Sequence, residues 1–351
     1  YNGEVYNFRE LRAELEKLGH KFKSDGDTEV ILHAFSEWGA DCLRRFIGMF
    51  AFVLHDASTR RLFLVRDRAG VKPLYVHTGR DFWLFGSELK ALRSCSEFPA
   101  RLSISDLHAY FRHGHVPSNG CIYQECYKID GGQYWMLDLE SRAHRKVQWW
   151  DQTALHDRPR STITYGDASD QLEELLHSAC NYRMVSDVPV GVFLSGGYDS
   201  TAIAAILQSQ ARAPIKTFTI GFTEGNDEAP FARETARILG ADHHELYCSP
   251  KEAIECVASL PDVYDEPFAD SSAIPTLMVS RLARQSVKVA LSADGGDELF
   301  CGYNSYLQTA RRASSLARIP RGLRRATGNL LQFTGRSVPS AAHGLRHKLH
   351  G

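Results

Sequence analysis

Between residues 186 and 291, short β-branched apolar runs alternate with amphipathic helical stretches, and this alternation restricts the fold more than any other feature of the chain. The spacing predicts a helix over about 168–184, strand Val190–Leu194, helix Asp199–Gln208, strand Lys216–Phe222 and helix Pro230–Leu239 closed by Gly240. It continues with strand His243–Cys248, helix Pro250–Leu260, a helix around Pro275–Arg284 and strand Val287–Leu291. Strands separated by helices pair in parallel through right-handed crossovers, so the expected fold is α/β with a doubly wound parallel sheet. Such sheets bind ligands beyond the carboxyl ends of their strands.

The first half has another grammar. Phe8, Leu11, Leu15 and Leu18 share one helical face before Gly19, and Val30, Ile31, Ala34, Phe35 and Trp38 share another before Gly39. From Gly48 the chain changes to β-rich runs, MFAFVLHD, RLFLVRD, PLYVHT and DFWLFGSE, which predict one antiparallel sheet with helices beside it. Residues 101–150 continue with mixed short elements. The polar stretch DQTALHDRPRSTITYGDASD at 151–170 is the natural linker, and it gives two domains, 1–160 and 165–351.

The net charge of −1 supplies no argument for a nucleic-acid or membrane partner, and the apolar run at 46–54 is too short to span a bilayer. No leader pattern opens the chain, so a cytoplasmic protein is expected. Its eight cysteines are scattered without a C-x-x-C pair, which predicts reduced thiols rather than a zinc site or a disulfide framework. The chain opens at Tyr1 without Met, and after Ala310 it carries nine Lys and Arg and no acidic residue. Both ends fit a piece of a longer protein, with the basic tail a surface segment.

Two loops carry the chemistry. SGGYDS follows strand Val190–Leu194, and SADGGDE (292–298) follows strand Val287–Leu291. Each offers a serine, glycines and an aspartate, so together they can hold phosphate oxygens by N–H and hydroxyl donors and a hard cation by Asp199 and Asp297. Neither contains the lysine of the usual nucleotide loop. Alone, either reads equally well as an ordinary glycine-rich turn; two at matching positions on one sheet favour a magnesium–polyphosphate site.

SDVPVGVFLSGGYDS (186–200), TFTIGF (217–222), DEPFADSSAIPT (265–276) and LSADGGDELFCGY (291–303) resemble the synthetase domain of glutamine-dependent asparagine synthetases, ATP pyrophosphatases of the PP-loop kind. The resemblance implies that the SGGYDS loop grips the pyrophosphate end of ATP while a carboxylate attacks the α-phosphorus. Adenylation of this kind needs no lysine to transfer the terminal phosphoryl group. Position by position, Leu194 and Ile220 would flank the adenine, and Ser195, Gly196, Gly197 and Ser200 would grip pyrophosphate. Asp199 and Asp297 would hold Mg2+, Ser292 and Ala293 would contact the nucleotide, and Asp294 would act near the adenylate as the catalytic acidic residue. The family often has Gly at the place of Ala293, and Leu or Ile at that of Tyr198, which is expected to point into packing. Loop 265–272 lies where the acceptor carboxylate would sit. Ser195 is a poor hydrolase nucleophile, since Phe193 occupies the place of the elbow glycine.

YNGEVYN (1–7), GDTEVIL (26–32), GMFAF (48–52), RDRAGVKPLY (66–75) and FGSELKAL (85–92) resemble the class II glutamine amidotransferase domain of the same enzymes, an Ntn-hydrolase-like αββα fold. Asn2 and Gly3 would then contact glutamine or its oxyanion, and Asp27 would hold its α-amino end; alone, Asp27 reads as a helix N-cap. The family's nucleophilic cysteine lies upstream of the segment matching Tyr1, and its synthetase domain continues beyond Gly351. The whole implies that glutamine, aspartate and ATP yield asparagine through β-aspartyl-AMP, with a second copy of the chain the one macromolecular partner left open. The rivals are a relative acting on another carboxylate, such as a β-lactam-type synthetase, and an inactive binding relative. His243 and His244 alternate on a strand and read as a surface pair, and Trp135, Trp149 and Trp150 as interdomain packing.

Overall fold

The computed structural model describes residues 1–117, 119–155, 157–225 and 227–325. Its contacts divide the chain into two units, Tyr1–Ser292 and Ala293–Gly351.

The first unit begins with β1 (Asn2–Val5), α1 (Phe8–Lys17), α2 (Asp27–Trp38), β2 (Gly48–Asp56), β3 (Arg61–Arg66), β4 (Tyr75–Thr78) and β5 (Trp83–Gly86). It continues through α3 (Leu89–Arg93), α4 (Ile104–His113), β6 (Cys126–Lys128), β7 (Gln133–Asp138) and β8 (His144–Gln148). The strands form two antiparallel sheets, ordered β1-β2-β3-β7-β8 and β5-β4-β6; the strand pattern alone predicted a single sheet, whereas two layers are what the αββα resemblance implied. Asp67 explains the split. Its buried carboxylate accepts from the N–H groups of Phe50, Ala69, Val71 and Lys72, and the Arg66 guanidinium donates to the carbonyls of Gly70, Lys72 and Ile129. The turn after β3 is thereby tied down, and β4 leaves the first sheet for a second layer.

Alternation along the strands decides what each face buries. Phe50, Phe52 and Val65 meet Leu11, Leu15, Val30 and Ile31 of α1 and α2, while Ala51, Leu64 and Trp135 meet Val76 of the second sheet and Ile129 just after β6. Tyr75 and Cys126 then pack on Leu89 and Leu92 of α3 and on Val116 after α4. The layers are therefore αββα. Trp135 lies between the two sheets, and Trp149 stacks on Phe50, so both tryptophans pack inside this module and not between domains.

The exposed stretch after Asp151 leads to α5 (Tyr165–Arg183), capped by the Thr164 hydroxyl. Then come β9 (Val190–Phe193), α6 (Tyr198–Gln210), β10 (Lys216–Phe222), α7 (Ala229–Leu239), β11 (Asp242–Cys248), α8 (Pro250–Val257), α9 (Leu260–Val263), α10 (Ala273–Ala283) and β12 (Val289–Leu291). The four strands are all parallel, in the order β11-β10-β9-β12. The helix expected over 250–260 stops at Val257, and a second short one starts at Leu260 with Pro261 in its first turn. His243 and His244 are partly buried, not a surface pair: His243 bonds the Thr217 hydroxyl and His244 stacks on Phe218.

In the second unit, Gly295 (φ 97°) turns the chain into α11 (Gly296–Phe300), followed by α12 (Asn304–Ala317). The basic residues up to Arg325 are mostly exposed, and the rest of the tail lies outside the described residues. Among the described residues no helix is long and apolar enough to cross a membrane.

Candidate functional site

The SGGYDS loop sits at the carboxyl end of β9, a central strand of the parallel sheet. Leu194 N–H donates to Phe218 O on β10 at 3.0 Å, and Thr219 Oγ1 donates back to Leu194 O. Leu194 is buried and Ile220 half-buried, so the two residues expected to flank adenine stand near the same ends of neighbouring strands. The loop closes on its own hydroxyls. Ser195 Oγ and Ser200 Oγ are 2.8 Å apart, Ser195 N–H donates to Ser200 Oγ at 3.1 Å, and Gly197 N–H donates to Ser195 Oγ at 3.1 Å.

Gly197 is the N-cap of α6 and offers no side chain, so the first N–H groups of that helix lack intrahelical partners and face outward with the positive end of its dipole. Gly196, Gly197, Tyr198 and Asp199 are all exposed, whereas Ser200 is buried. Tyr198 is 95% exposed, which overturns the expectation that it packs. The first turn of α6 carries it away from the sheet, leaving it on the rim of the loop.

Ser292 follows β12, which pairs with β9, so it leaves the sheet beside the SGGYDS loop and at the same end. Ala293, Asp294 and Asp297 belong to the second unit. There Asp297 occupies the first turn of α11, and its carbonyl accepts from Gly302 N–H at 3.0 Å. Among the described residues no three His, Cys, Asp or Glu side chains gather as a metal cage. Asp199, exposed two residues after Gly197, still fits an ion held mainly by phosphate oxygens, which needs only one or two carboxylates from the protein.

A second cluster forms in the αββα part. Asn2 and Glu4 share a face of β1, and Asn2 Nδ2 donates to Ser87 Oγ at 3.0 Å. Gly3 between them has φ 139°, and a Cβ there would lie 2.1 Å from Met49 O, so only glycine lets β1 approach β2. Asp27 is the first residue of α2 and not its N-cap. Its carboxylate reaches across to accept from Val5 N–H at 2.9 Å and from the Tyr1 hydroxyl. Burial, then the charges of Asp27 and Asp187, push the Glu4 carboxyl above the usual range. Burial and Asp27 likewise hold the Tyr1 phenol protonated. Two neighbouring carboxylates make a seat for an ammonium. Sequence reading took Asp27 and missed Glu4, although its place two residues after Asn2 on a strand was the available signal.

Loop 265–272 turns Asp265 and Glu266 toward the αββα part, while Asp270 accepts from Ser272 N–H within the loop. Asp265 Oδ2 accepts from Leu89 N–H at 2.5 Å, and Glu266 accepts from Ile122 N–H and Lys128 Nζ, each at 2.8 Å.

The family profile for asparagine synthase matches residues 171–349, and that for a glutamine amidotransferase domain matches residues 1–150. The putative asparagine synthetase (glutamine-hydrolyzing) 2 of Methanocaldococcus jannaschii is 36% identical over 330 residues, covering 92% of this chain and 62% of that protein. Asparagine synthetase (glutamine-hydrolyzing) 1 of Bacillus subtilis is 33% identical over 330 residues, covering 93% and 50%. A putative asparagine synthetase (glutamine-hydrolyzing) of Mycobacterium tuberculosis is 37% identical over 347 residues, covering 94% and 51%.

Fold and site together define the class: an αββα amidotransferase part followed by a parallel-sheet part with a phosphate-type loop. Within that class, the chain belongs to the asparagine synthase family. It spans between 50% and 62% of the length of these three relatives.

Proposed function

We propose that the full-length protein makes asparagine from aspartate, ATP and glutamine, using residues 1–160 as the glutamine part and 165–351 within the synthetase part. The observation that carries this reading is the lysine-free loop at β9. The Ser195 and Ser200 hydroxyls and the Gly197 N–H bond one another and shape the loop, so that exposed Gly196 and the start of α6 are turned to meet an anion, with no lysine in the loop to reach a terminal phosphate.

In this reading Ser195, Gly196, Gly197 and Ser200 hold the pyrophosphate end of ATP, Leu194 and Ile220 flank the adenine, and Ser292 and Ala293 contact the nucleotide. A β-carboxylate oxygen of aspartate attacks the α-phosphorus, the bond to the bridging oxygen breaks, and pyrophosphate leaves. Ammonia then adds to the acyl carbon, loses a proton, and expels AMP, with Asp294 beside the adenylate. ATP would arrive with Mg2+ held by Asp199 and Asp297, and that ion would offset charge on the departing pyrophosphate. In the glutamine part Asn2 and Gly3 face the oxyanion, while Asp27, joined by Glu4, holds the α-ammonium. We place the protein in the cytoplasm, as a homodimer without a nucleic-acid partner.

Pyrophosphate release by the full-length protein, with ATP, ammonia and a panel of carboxylates, tests the substrate. Release and AMP formation that depend on aspartate are expected. Activity confined to another carboxylate defeats the choice of aspartate.

A further inference from the structure

Residues 265–272 join α9 to α10 without helix or strand, and Asp265, Glu266 and Ala269 are engaged by the first part of the chain. Besides its bond to Leu89 N–H, Asp265 accepts from Lys90 N–H at 3.4 Å and lies 3.7 Å from Lys90 Nζ. Leu89 opens α3, and the N-cap of that helix, Glu88, supplies no side-chain hydrogen bond. The cap of α3 therefore comes from a residue 176 positions away. Two residues before Leu89 stands Ser87, which accepts from the Asn2 amide. The short stretch from Ser87 to Lys90 is thus held at one end by the proposed glutamine site and at the other by the loop proposed for the acceptor.

We propose that Asp265 is a positioning residue that couples the two sites: by capping α3 it fixes Ser87, and through Ser87 the Asn2 amide. The inference rests on the function proposed above. A purely structural latch is already present without Asp265. Glu266 is anchored by Ile122 N–H, Lys128 and the Tyr75 hydroxyl, and Ala269 N–H donates to Gly114 O at 2.8 Å. Removing the Asp265 carboxylate leaves those anchors in place. What is lost is the tie between the loop and the start of α3, so the burden falls on the use of glutamine.

The test compares asparagine formation from glutamine and from ammonia in the full-length protein. In Asp265→Ala the glutamine-dependent rate should fall about tenfold further than the ammonia-dependent rate, about 1.4 kcal/mol of barrier. Asp265→Asn keeps a carbonyl oxygen for Leu89 N–H and should recover most of that difference. Should the alanine variant fail to fold, Ser87→Ala alone gives the comparison, with the same selective loss of the glutamine-dependent rate expected. Ser87→Ala combined with Asp265→Ala should cost little more than either alone, since both act on one element. Glu266→Gln, which loosens the latch but not the cap, should lower both rates alike. Equal losses from both nitrogen sources in Asp265→Ala, or an unchanged ratio, overturn the proposal. A wild-type protein that makes asparagine from neither source refutes the function itself, a result distinct from an unchanged ratio.

Discussion

Glu4 illustrates how one side chain can report on a site. Its carboxyl is raised from 4.5 by burial first, and then by the charges of Asp27 and Asp187, with Lys72 opposing them. An arriving α-ammonium would favour the ionised form, so binding releases a proton from Glu4 in the window above its ordinary value. The KM for glutamine should therefore fall as pH rises through that window, and Glu4→Gln should flatten the profile and raise KM about tenfold. Stability moves the other way with pH. The folded state binds the extra proton, so the Glu4 contribution to stability declines as pH rises through the folded value. A KM that is independent of pH in the wild type would remove Glu4 from the glutamine site. The SGGYDS loop was legible in the sequence because its donors are local, five residues apart at most. The pairing of Glu4 with Asp27 was not, because β1 and α2 meet only in the folded chain.

At the scale of elements, helix and strand positions followed from period and punctuation, with Gly19, Gly39 and Gly240 ending helices at positive φ. Layering did not follow from that pattern and came only with the family resemblance. Nothing in PLYVHT announces that β4 leaves the first sheet, because the cause is Asp67, whose carboxylate gathers N–H groups from β2 and from its own turn. Tyr198 was misplaced for a related reason: the residue type suits packing, but the first turn of α6 points it outward. Between elements, the Lys128–Glu266 pair is mostly buried and joins β6 to loop 265–272 at 2.8 Å. Breaking such a pair leaves an uncompensated charge and costs about 3 kcal/mol or more. Lys128→Met should lower stability by that amount in denaturant titration. Lys128→Met with Glu266→Gln should regain more than half, since the charge is gone and an oxygen remains for Ile122 N–H. If the double variant is no better than the single, the pair is not the anchor.

On the scale of the molecule, the αββα part and the parallel-sheet part up to Ser292 are joined by polar contacts from the second to the first. Tyr182 donates to Glu10 at 2.9 Å, Asp265 and Glu266 reach α3, β4 and β6, and the charge of Asp187 is felt at Glu4. These contacts cross up to 191 residues of sequence, which is why a linear reading did not find them. The central claim concerns which phosphorus atom is attacked at the β9 loop. It is tested by supplying the full-length protein with ATP, ammonia and aspartate carrying 18O in its β-carboxylate. Attack at the α-phosphorus transfers one labelled oxygen to AMP for each asparagine formed, and this is the predicted result. Label recovered in inorganic phosphate, with ADP as the other product, would contradict it.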